Sequence, residues 1–170
     1  SDDQVRVWVA GCATGEEAYS VGILLLEHAH QLNQPPSIQV FATDLSETAL
    51  RQAREGVYPD SIEIDVSPAR LARFFSKEQG GYRVRQELRD IILFAPHSLL
   101  KDPPFSKIDL LSCRNVLIYL QRSIQQQIFE LFHYAMRPGG YLFLGSAETM
   151  EDSRFFRDLN RRHGLFQRQA

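Results

Sequence analysis

The feature that most constrains the fold is an alternation of strand-like and helix-like segments in the first third of the chain. The short β-branched run from Val5 to Ala10 ends in a glycine-containing turn, Gly11 to Gly15, as a buried strand does. Helical spacing of apolar residues follows over Glu16 to Leu32, and a second strand is predicted from Ile38 to Thr43. A second helix then runs to Glu55. This order predicts a right-handed βαβ unit within a parallel sheet.

Both helix starts carry capping signals. Thr14 and Glu17 have the spacing of a capping box, and Asp44 and Glu47 repeat that spacing at the second helix. Gly56 is placed to end the second helix. The carboxylates at these positions therefore have a structural explanation beside any functional one.

The alternation is interrupted between residues 57 and 90. The Gly80-Gly81 pair and two prolines separate a predicted helix near Ser67 to Phe75 from a short strand at Tyr82 to Arg85. We therefore expect a small inserted subdomain in this part of the chain.

Strand and helix signals resume after the insertion. A helix is expected from Ser123 to Met136, with Ser123 and Gln126 at its start and Pro138 after its end. Strands are predicted at Asp90 to Ala95, Lys107 to Cys113, Tyr141 to Gly145 and Gly164 to Arg168. The whole pattern predicts a doubly wound α/β fold.

Composition limits the classes of function. The chain has 170 residues, enough for one domain, and a net charge of −2 without a basic run, so non-specific binding to nucleic acid is not expected. No apolar stretch is long enough to span a membrane. The two cysteines, Cys12 and Cys113, are far apart and the histidines lack ligand spacing, so no metal site is expected. So few cysteines also rule out a disulfide framework, which favours a cytoplasmic protein. The abrupt start at Ser1 suggests part of a longer protein.

Ligands of an open parallel sheet bind beyond the carboxyl ends of its strands. The polar residues expected there are the Gly11 to Glu17 turn, Asp44, His97 to Leu99, and Arg114 with Asn115. The glycines of this turn let its backbone approach a bound nucleoside. Ala13, however, replaces a glycine of the dinucleotide fingerprint, and an ordinary tight turn between strand and helix explains the sequence equally well.

The side chains at this edge each have two interpretations. Asp44 is placed to accept both ribose hydroxyl hydrogens, and alternatively to cap the second helix. Glu17 has the same helix-capping alternative. An arginine and an asparagine directly after an apolar strand, Arg114 and Asn115, favour ligand contact over a plain surface loop.

Five stretches together resemble the CheR methyltransferase family, in the family's order and at compatible spacing. They are RVWVAGCATGEEAYSV, VFATDLSETALRQAREGVY, RFF followed by GGYRVRQELRDIILFAPHSLL, FSKIDLLSCRNVLIYL and RPGGYLFLGSAET. The resemblance implies a Rossmann-like methyltransferase sheet with S-adenosylmethionine as donor and S-adenosylhomocysteine as product. It implies cofactor contacts from Gly11, Glu17, Asp44, Ser98, Leu99, Arg114 and Asn115. Ser98 stands where the family usually has asparagine, so a contact near the adenine is expected to be weaker or bridged by water.

The resemblance also implies a reaction and a partner. A glutamate on the cytoplasmic helical domain of a chemoreceptor would be methylated, with Arg114 guiding the carboxylate and Tyr119 orienting the acceptor. Residues 57 to 90 would be the receptor-facing subdomain. The family's N-terminal helical subdomain has no counterpart before Val5, and the tail from Arg162 to Arg168 resembles proteins in which this domain is fused to other chemotaxis or sensory modules.

Two other functions stay open on the sequence. A nicotinamide-dependent oxidoreductase would use Asp44 in the same way, although the incomplete glycine fingerprint disfavours it. The other alternative is a non-catalytic module of a multidomain sensory protein, which binds the cofactor or serves only in protein interaction.

Overall fold

The computed structural model describes residues 4–114, 116–145 and 154–170, which contain ten strands and five α-helices. The helices are α1 (Glu16–Ala29), α2 (Glu47–Glu55), α3 (Pro68–Phe74), α4 (Gln86–Arg89) and α5 (Arg122–Ala135). The strands are β1 (Gln4–Ala10), β2 (Ser37–Asp44), β3 (Val57–Pro59), β4 (Phe75–Glu78), β5 (Gly81–Val84), β6 (Ile92–Pro96), β7 (Ile108–Cys113), β8 (Met136–Leu144), β9 (Phe156–Asn160) and β10 (Leu165–Arg168). No helix among the described residues is both long and apolar enough to cross a bilayer.

Seven strands form the main sheet, in the order β6-β2-β1-β7-β8-β10-β9. The first five in this order are paired in parallel, whereas β10 is antiparallel to both β8 and β9. The chain moves outward from β1 to β2 and β6, then returns to the other side of β1 through β7. The strand order therefore reverses between β1 and β7, which is where a ligand cleft opens in such sheets.

The central strand β1 separates two apolar cores. Val7 and Val9 face one core, which includes the buried residues of α1 and α2. Trp8 and Ala10 face the other core, which includes the buried residues of α5. Alternate residues of a strand point to opposite faces, so the unbroken apolar run from Val7 to Ala10 is what a strand covered on both sides requires. The predicted doubly wound α/β fold is confirmed.

The insertion forms a second, three-stranded antiparallel sheet in the order β3-β5-β4. The side chain of Phe74 from α3 is fully buried in the core beside it. Arg70 of α3 donates two hydrogen bonds, of 3.0 and 2.9 Å, to the Glu27 carboxylate on α1. The expected small β subdomain is present, and Phe75, which we placed in a helix, is the first residue of β4.

The predicted capping box at α1 is wrong. The residue before the helix is Gly15, whose φ of 99° lies in the left-handed region, and no side chain caps the helix. The Thr14 hydroxyl donates instead to the Glu16 carboxylate, and Glu17 accepts a hydrogen bond from Ser112 on β7. A left-handed residue before the helix removes Thr14 from the position that a capping side chain needs.

Two further helix boundaries differ from the sequence prediction. Ser46, not Asp44, caps α2, because its hydroxyl accepts the backbone N–H of Ala49 at 3.1 Å. Helix α5 begins after Gln121, without a side-chain cap from Ser123, and ends one residue before Met136. Strand β8 starts at once, where a loop was expected up to Tyr141.

Candidate functional site

A cavity of about 610 Å³ opens at the carboxyl edge of the sheet, where the strand order reverses. Its walls come from the ends of β1, β2, β6 and β7 and from the segments that follow them. The residues that line it are Gly11, Cys12, Ala13, Glu16, Glu17, Thr43, Asp44, Leu45, His97, Ser98, Leu99, Leu100, Arg114, Val116, Leu120 and Ile128. This volume lies within the range of pockets that hold small ligands and cofactors.

The turn after β1 forms the floor of this cavity and has no room for a side chain at Gly11. The φ of Gly11 is 73°, and a Cβ placed there would lie 2.4 Å from Val116 Cγ2. The turn is attached to β2, since the Cys12 N–H donates to the Thr43 carbonyl at 2.8 Å. Glycine is therefore required both by the backbone conformation and by the packing.

Asp44 joins the turn after β1 to the turn after β2. Its Oδ2 accepts the Ala13 N–H at 2.8 Å, and its Oδ1 accepts the Ser46 N–H at 2.9 Å. An ionised carboxylate has about four acceptor sites, so both oxygens retain a lone pair for hydroxyl groups of a ligand.

Glu17 faces the sheet, not the backbone of its own helix. Its carboxylate accepts a hydrogen bond from the hydroxyl of Ser112, which is 1% exposed on β7. Beside it, burial and the nearby Asp44 carboxylate raise the pKa of the Cys12 thiol to about 12. A thiol in this setting stays protonated and is a poor nucleophile.

The loop after β6 is held by its own hydrogen bonds. The Ser98 N–H donates to Asp102 Oδ2 at 2.7 Å, and His97 Nε2 lies 2.8 Å from the Pro103 carbonyl. Because a carbonyl only accepts, Nε2 carries the proton and Nδ1 of a neutral His97 is an acceptor. That Nδ1 is buried without a hydrogen-bond partner among the described residues.

Arg114 follows β7, which lies on the other side of β1 from the strand that carries Asp44, and it also lines the cavity. Its guanidinium lies 4.8 Å from the ring centroid of Phe143, within cation–π range, and its Nε is buried without a partner among the described residues. Asn115 lies outside the described residues. Tyr119 is 81% exposed and is not among the lining residues, so the structure does not bring it to the cavity with the others.

Six of the seven cofactor contacts that the resemblance implies thus line one cavity: Gly11, Glu17, Asp44, Ser98, Leu99 and Arg114. Sequence reasoning missed its apolar wall, which is Leu45, Leu100, Val116, Leu120 and Ile128. Leu45 and Leu100 directly follow residues that were singled out, so their position after strand ends was an available signal. Ile128 lies on α5, and no local pattern relates it to the strand ends. No group of three or more His, Cys, Asp or Glu side chains within the described ranges is arranged to hold a metal ion.

Comparison with known families gives a match over nearly the whole chain. The family model described as "CheR methyltransferase, SAM binding domain" matches residues 1–165. The chain belongs to the CheR methyltransferase family. The resemblance found in the sequence is thereby confirmed, and the family's ligand is S-adenosylmethionine (SAM).

Curated relatives agree with this assignment. The chain is 36% identical over 155 residues to the chemotaxis protein methyltransferase of Escherichia coli, covering 86% of this chain and 52% of that protein. It is 34% identical over 155 residues to chemotaxis protein methyltransferase 1 of Pseudomonas aeruginosa, covering 88% and 56%. A 104.1 kDa uncharacterized protein of Rhodobacter capsulatus is 42% identical over 166 residues, covering 96% of this chain and 17% of that protein. The chain thus spans about half the length of the relatives named as methyltransferases.

Solved structures share the fold. A putative O-methyltransferase from Nostoc punctiforme superposes with a TM-score of 0.53 at 14% identity, covering 82% of this chain and 32% of that one. A SAM-dependent methyltransferase from Methanosarcina mazei gives a TM-score of 0.50 at 14% identity, covering 85% and 53%. At these identities the likeness concerns the fold alone.

The residues present fit SAM. Three features lie at the same cavity: the close approach of backbone at Gly11, the lone pairs that the described contacts leave on Asp44, and the Arg114 Nε, which has no partner among the described residues. Three carboxylates and one guanidinium line it, so its formal charge suits a ligand that carries positive groups. SAM carries a sulfonium and an ammonium group, which this excess of carboxylate complements.

Proposed function

We propose that this chain is the donor-binding domain of a SAM-dependent methyltransferase that esterifies glutamate side chains of chemotaxis receptors. The observation that carries the proposal is the convergence of Asp44, Glu17 and Arg114 on one cavity at the carboxyl edge of the sheet. These three side chains come from the ends of three different segments, so their meeting is a property of the fold.

The start of α1 argues against a nicotinamide dinucleotide. Dinucleotides place their pyrophosphate at the N-terminus of the first helix, where backbone N–H groups and the helix dipole attract negative charge. Here Glu16 and Glu17 occupy the first turn of α1, and both line the cavity. Two carboxylates repel a pyrophosphate at this position, whereas they attract a sulfonium or ammonium group.

Each side chain then has a proposed role toward the donor. Asp44 accepts hydrogen bonds from the ribose hydroxyls, and Glu17 accepts one from the ammonium group of the methionine end. The backbone around Gly11 packs against the methionine chain. Ser98 and Leu99 line the adenine side, and Asn115 contacts the cofactor beside Arg114. When bound, SAM supplies a methyl group on a positively charged sulfur.

The acceptor needs alignment more than activation. A glutamate carboxyl with an ordinary pKa near 4.3 is ionised at neutral pH, so the chain does not have to supply a base. Arg114 guides this carboxylate by charge-assisted hydrogen bonds, and holding it in line contributes effective molarity. Tyr119, exposed near the segment that carries Arg114, orients the acceptor.

The receptor would be held by surfaces outside the cavity. We propose that the small sheet β3-β5-β4 faces the cytoplasmic helical domain of the receptor. Methylation would remove one negative charge from a receptor helix, which changes the balance between signalling states. In this proposal the domain works in the cytoplasm and is joined to further chemotaxis or sensory modules.

The first experiment measures donor binding. Isothermal titration of the full-length protein with S-adenosylhomocysteine should give saturable binding, while NADH should give none. Asp44→Asn should weaken binding about tenfold or more, because a buried ribose hydrogen bond and a backbone anchor are lost together. Asp65→Asn is the matched control, since Asp65 is an exposed carboxylate outside the cavity. Equal affinity of the two variants would contradict the placement of the ribose.

A second experiment tests transfer. Full-length protein, labelled SAM and receptor cytoplasmic domain should give label that alkali releases as methanol, as a carboxyl methyl ester requires. Tyr119→Phe should slow transfer without changing affinity for S-adenosylhomocysteine. Donor binding without transfer to any receptor would favour the alternative, a non-catalytic cofactor-binding or interaction module.

A further inference from the structure

The inserted sheet makes a direct hydrogen bond to the turn that forms the floor of the cavity. Tyr58 is the middle residue of β3, and its hydroxyl donates to the Thr14 carbonyl at 2.8 Å. The side chain is 6% exposed and lies in the same apolar core as α1 and α2. The contact therefore joins two parts of the chain that are 44 residues apart.

The packing around this phenol leaves little freedom. A Cβ on Gly15 would lie 3.0 Å from both Tyr58 Oη and Ala53 Cβ, and Gly15 has a φ of 99°, so the turn packs closely against the hydroxyl. The ring of Tyr19 meets the ring of Tyr58 edge to face, with centroids 6.0 Å apart. Burial also raises the pKa of Tyr58 well above its usual range, so its hydroxyl stays a donor at any physiological pH.

Thr14 lies between the residues of the turn that reach the cavity. On one side, Ala13 donates its N–H to Asp44, and on the other, the Thr14 hydroxyl donates to the Glu16 carboxylate at 2.5 and 2.7 Å. Ala13, Glu16 and Asp44 all line the cavity. The orientation of the Thr14 peptide therefore affects both the Ala13 N–H and the Glu16 carboxylate at the cavity.

We propose that Tyr58 is a positioning residue. Through the Thr14 carbonyl it fixes the turn after β1, and it thereby couples the inserted sheet to the affinity of the cavity for SAM, the methyl donor. This inference rests on the proposed function of the cavity. Coupling free energies are reciprocal, so donor binding should also stabilise the inserted sheet. Binding of a partner to that sheet would then alter donor affinity through the same contact.

Tyr58→Phe tests the proposal, with Tyr19→Phe as the matched control. Tyr19 is 3% exposed in the same aromatic cluster, and its hydroxyl donates to the Ala53 carbonyl at 2.6 Å, away from the cavity. Both variants lose one buried phenol hydrogen bond, so they should lose similar stability. Only Tyr58→Phe should raise the Kd for S-adenosylhomocysteine, by about threefold to tenfold, in titrations of the full-length protein.

The same variant should separate the kinetic constants. Tyr58→Phe should raise the KM for SAM, whereas partial unfolding would lower kcat alone by reducing the active fraction. An unchanged Kd in Tyr58→Phe, with wild-type binding intact, would overturn the positioning role and leave the proposed function standing. Absence of binding by the wild type would overturn both.

Hydrogen exchange tests the coupling first in the wild type, where the folding of a variant plays no part. Adding S-adenosylhomocysteine should slow amide hydrogen exchange in α1 and also in β3 and β5. In Tyr58→Phe the protection of α1 should persist while that of β3 and β5 is lost. Ligand protection confined to α1 in the wild type would overturn the coupling.

Discussion

Replacing Gly11 by alanine tests how closely the donor-binding turn must approach Val116. The substituted residue would have a φ of 73°, which costs a residue with a Cβ about 1–2 kcal/mol. Its Cβ would lie 2.4 Å from Val116 Cγ2, far inside the optimal separation of about 3.5–4.0 Å between carbon atoms. Valine is stiff at χ1, so relief requires a backbone shift, and overpacking of this kind costs about 1–3 kcal/mol more.

Gly80→Ala separates these two costs. Gly80 has a φ of 83°, but nothing lies within 4 Å of the position of its Cβ. Urea denaturation followed by circular dichroism should therefore show a loss of about 1–2 kcal/mol for Gly80→Ala and about 2–5 kcal/mol for Gly11→Ala. The Kd for S-adenosylhomocysteine should rise only in Gly11→Ala. Equal losses of stability in the two variants would refute the steric reasoning.

Two further predictions concern Trp8, which is bonded to a residue of the cavity wall, and Cys12, which lines the cavity. Trp8→Phe removes part of a fully buried ring and the indole N–H that donates to Thr43 Oγ1 at 2.9 Å. The free energy of unfolding, measured in urea, should therefore fall by about 2–3 kcal/mol. A loss below about 0.5 kcal/mol would contradict this. Because the folded pKa of Cys12 is raised from 9.0 to about 12, its contribution to stability is present below pH 9 and is lost as the pH rises towards 12. Cys12→Ala should therefore lose stability less steeply than the wild type between pH 9 and 11, and parallel curves would contradict the shift.

Strands buried on both faces could be predicted from the sequence, because composition alone marks them. The run Val5 to Ala10 lies within β1, and Ile38 to Thr43 lies within β2. Strands β3 and β4 were missed, since Val57–Pro59 and Phe75–Glu78 become strands only by pairing with β5. Such short segments have no period of their own to detect, and their conformation is set by tertiary pairing.

Local capping rules failed where long-range contacts compete. Glu17 has the spacing of a capping residue, yet the hydroxyl of Ser112, 95 residues away, is its partner. Ser46 lies two residues after Asp44, and its hydroxyl makes the capping bond that the sequence offered as the structural alternative for the Asp44 carboxylate. In both places a carboxylate with the spacing of a helix cap accepts a hydrogen bond from a distant segment instead. A capping rule compares residues no more than four positions apart, so it cannot detect such a partner.

The rule that ligands bind beyond strand ends performed better, because it concerns topology and not spacing. It placed Gly11, Asp44 and Arg114 at one edge before any contact was known, and all three line the cavity. The apolar wall could not be found in this way. A leucine that lines a cavity and a leucine in the core have the same sequence signal, and Ile128 reaches the site only because α5 packs across the sheet.

Asp44 links the construction of the site to its proposed chemistry. Its two oxygens already accept the N–H groups of Ala13 and Ser46, so the turns after β1 and β2 are joined before a donor arrives. Preorganisation of this kind lowers the conformational-entropy cost of binding. Asparagine has one acceptor oxygen, and its amide group would face one of these N–H donors with a donor of its own. The loss in Asp44→Asn therefore includes the geometry of the turn as well as a ribose contact, which is why we expect it to exceed the effect of removing the Tyr58 hydroxyl.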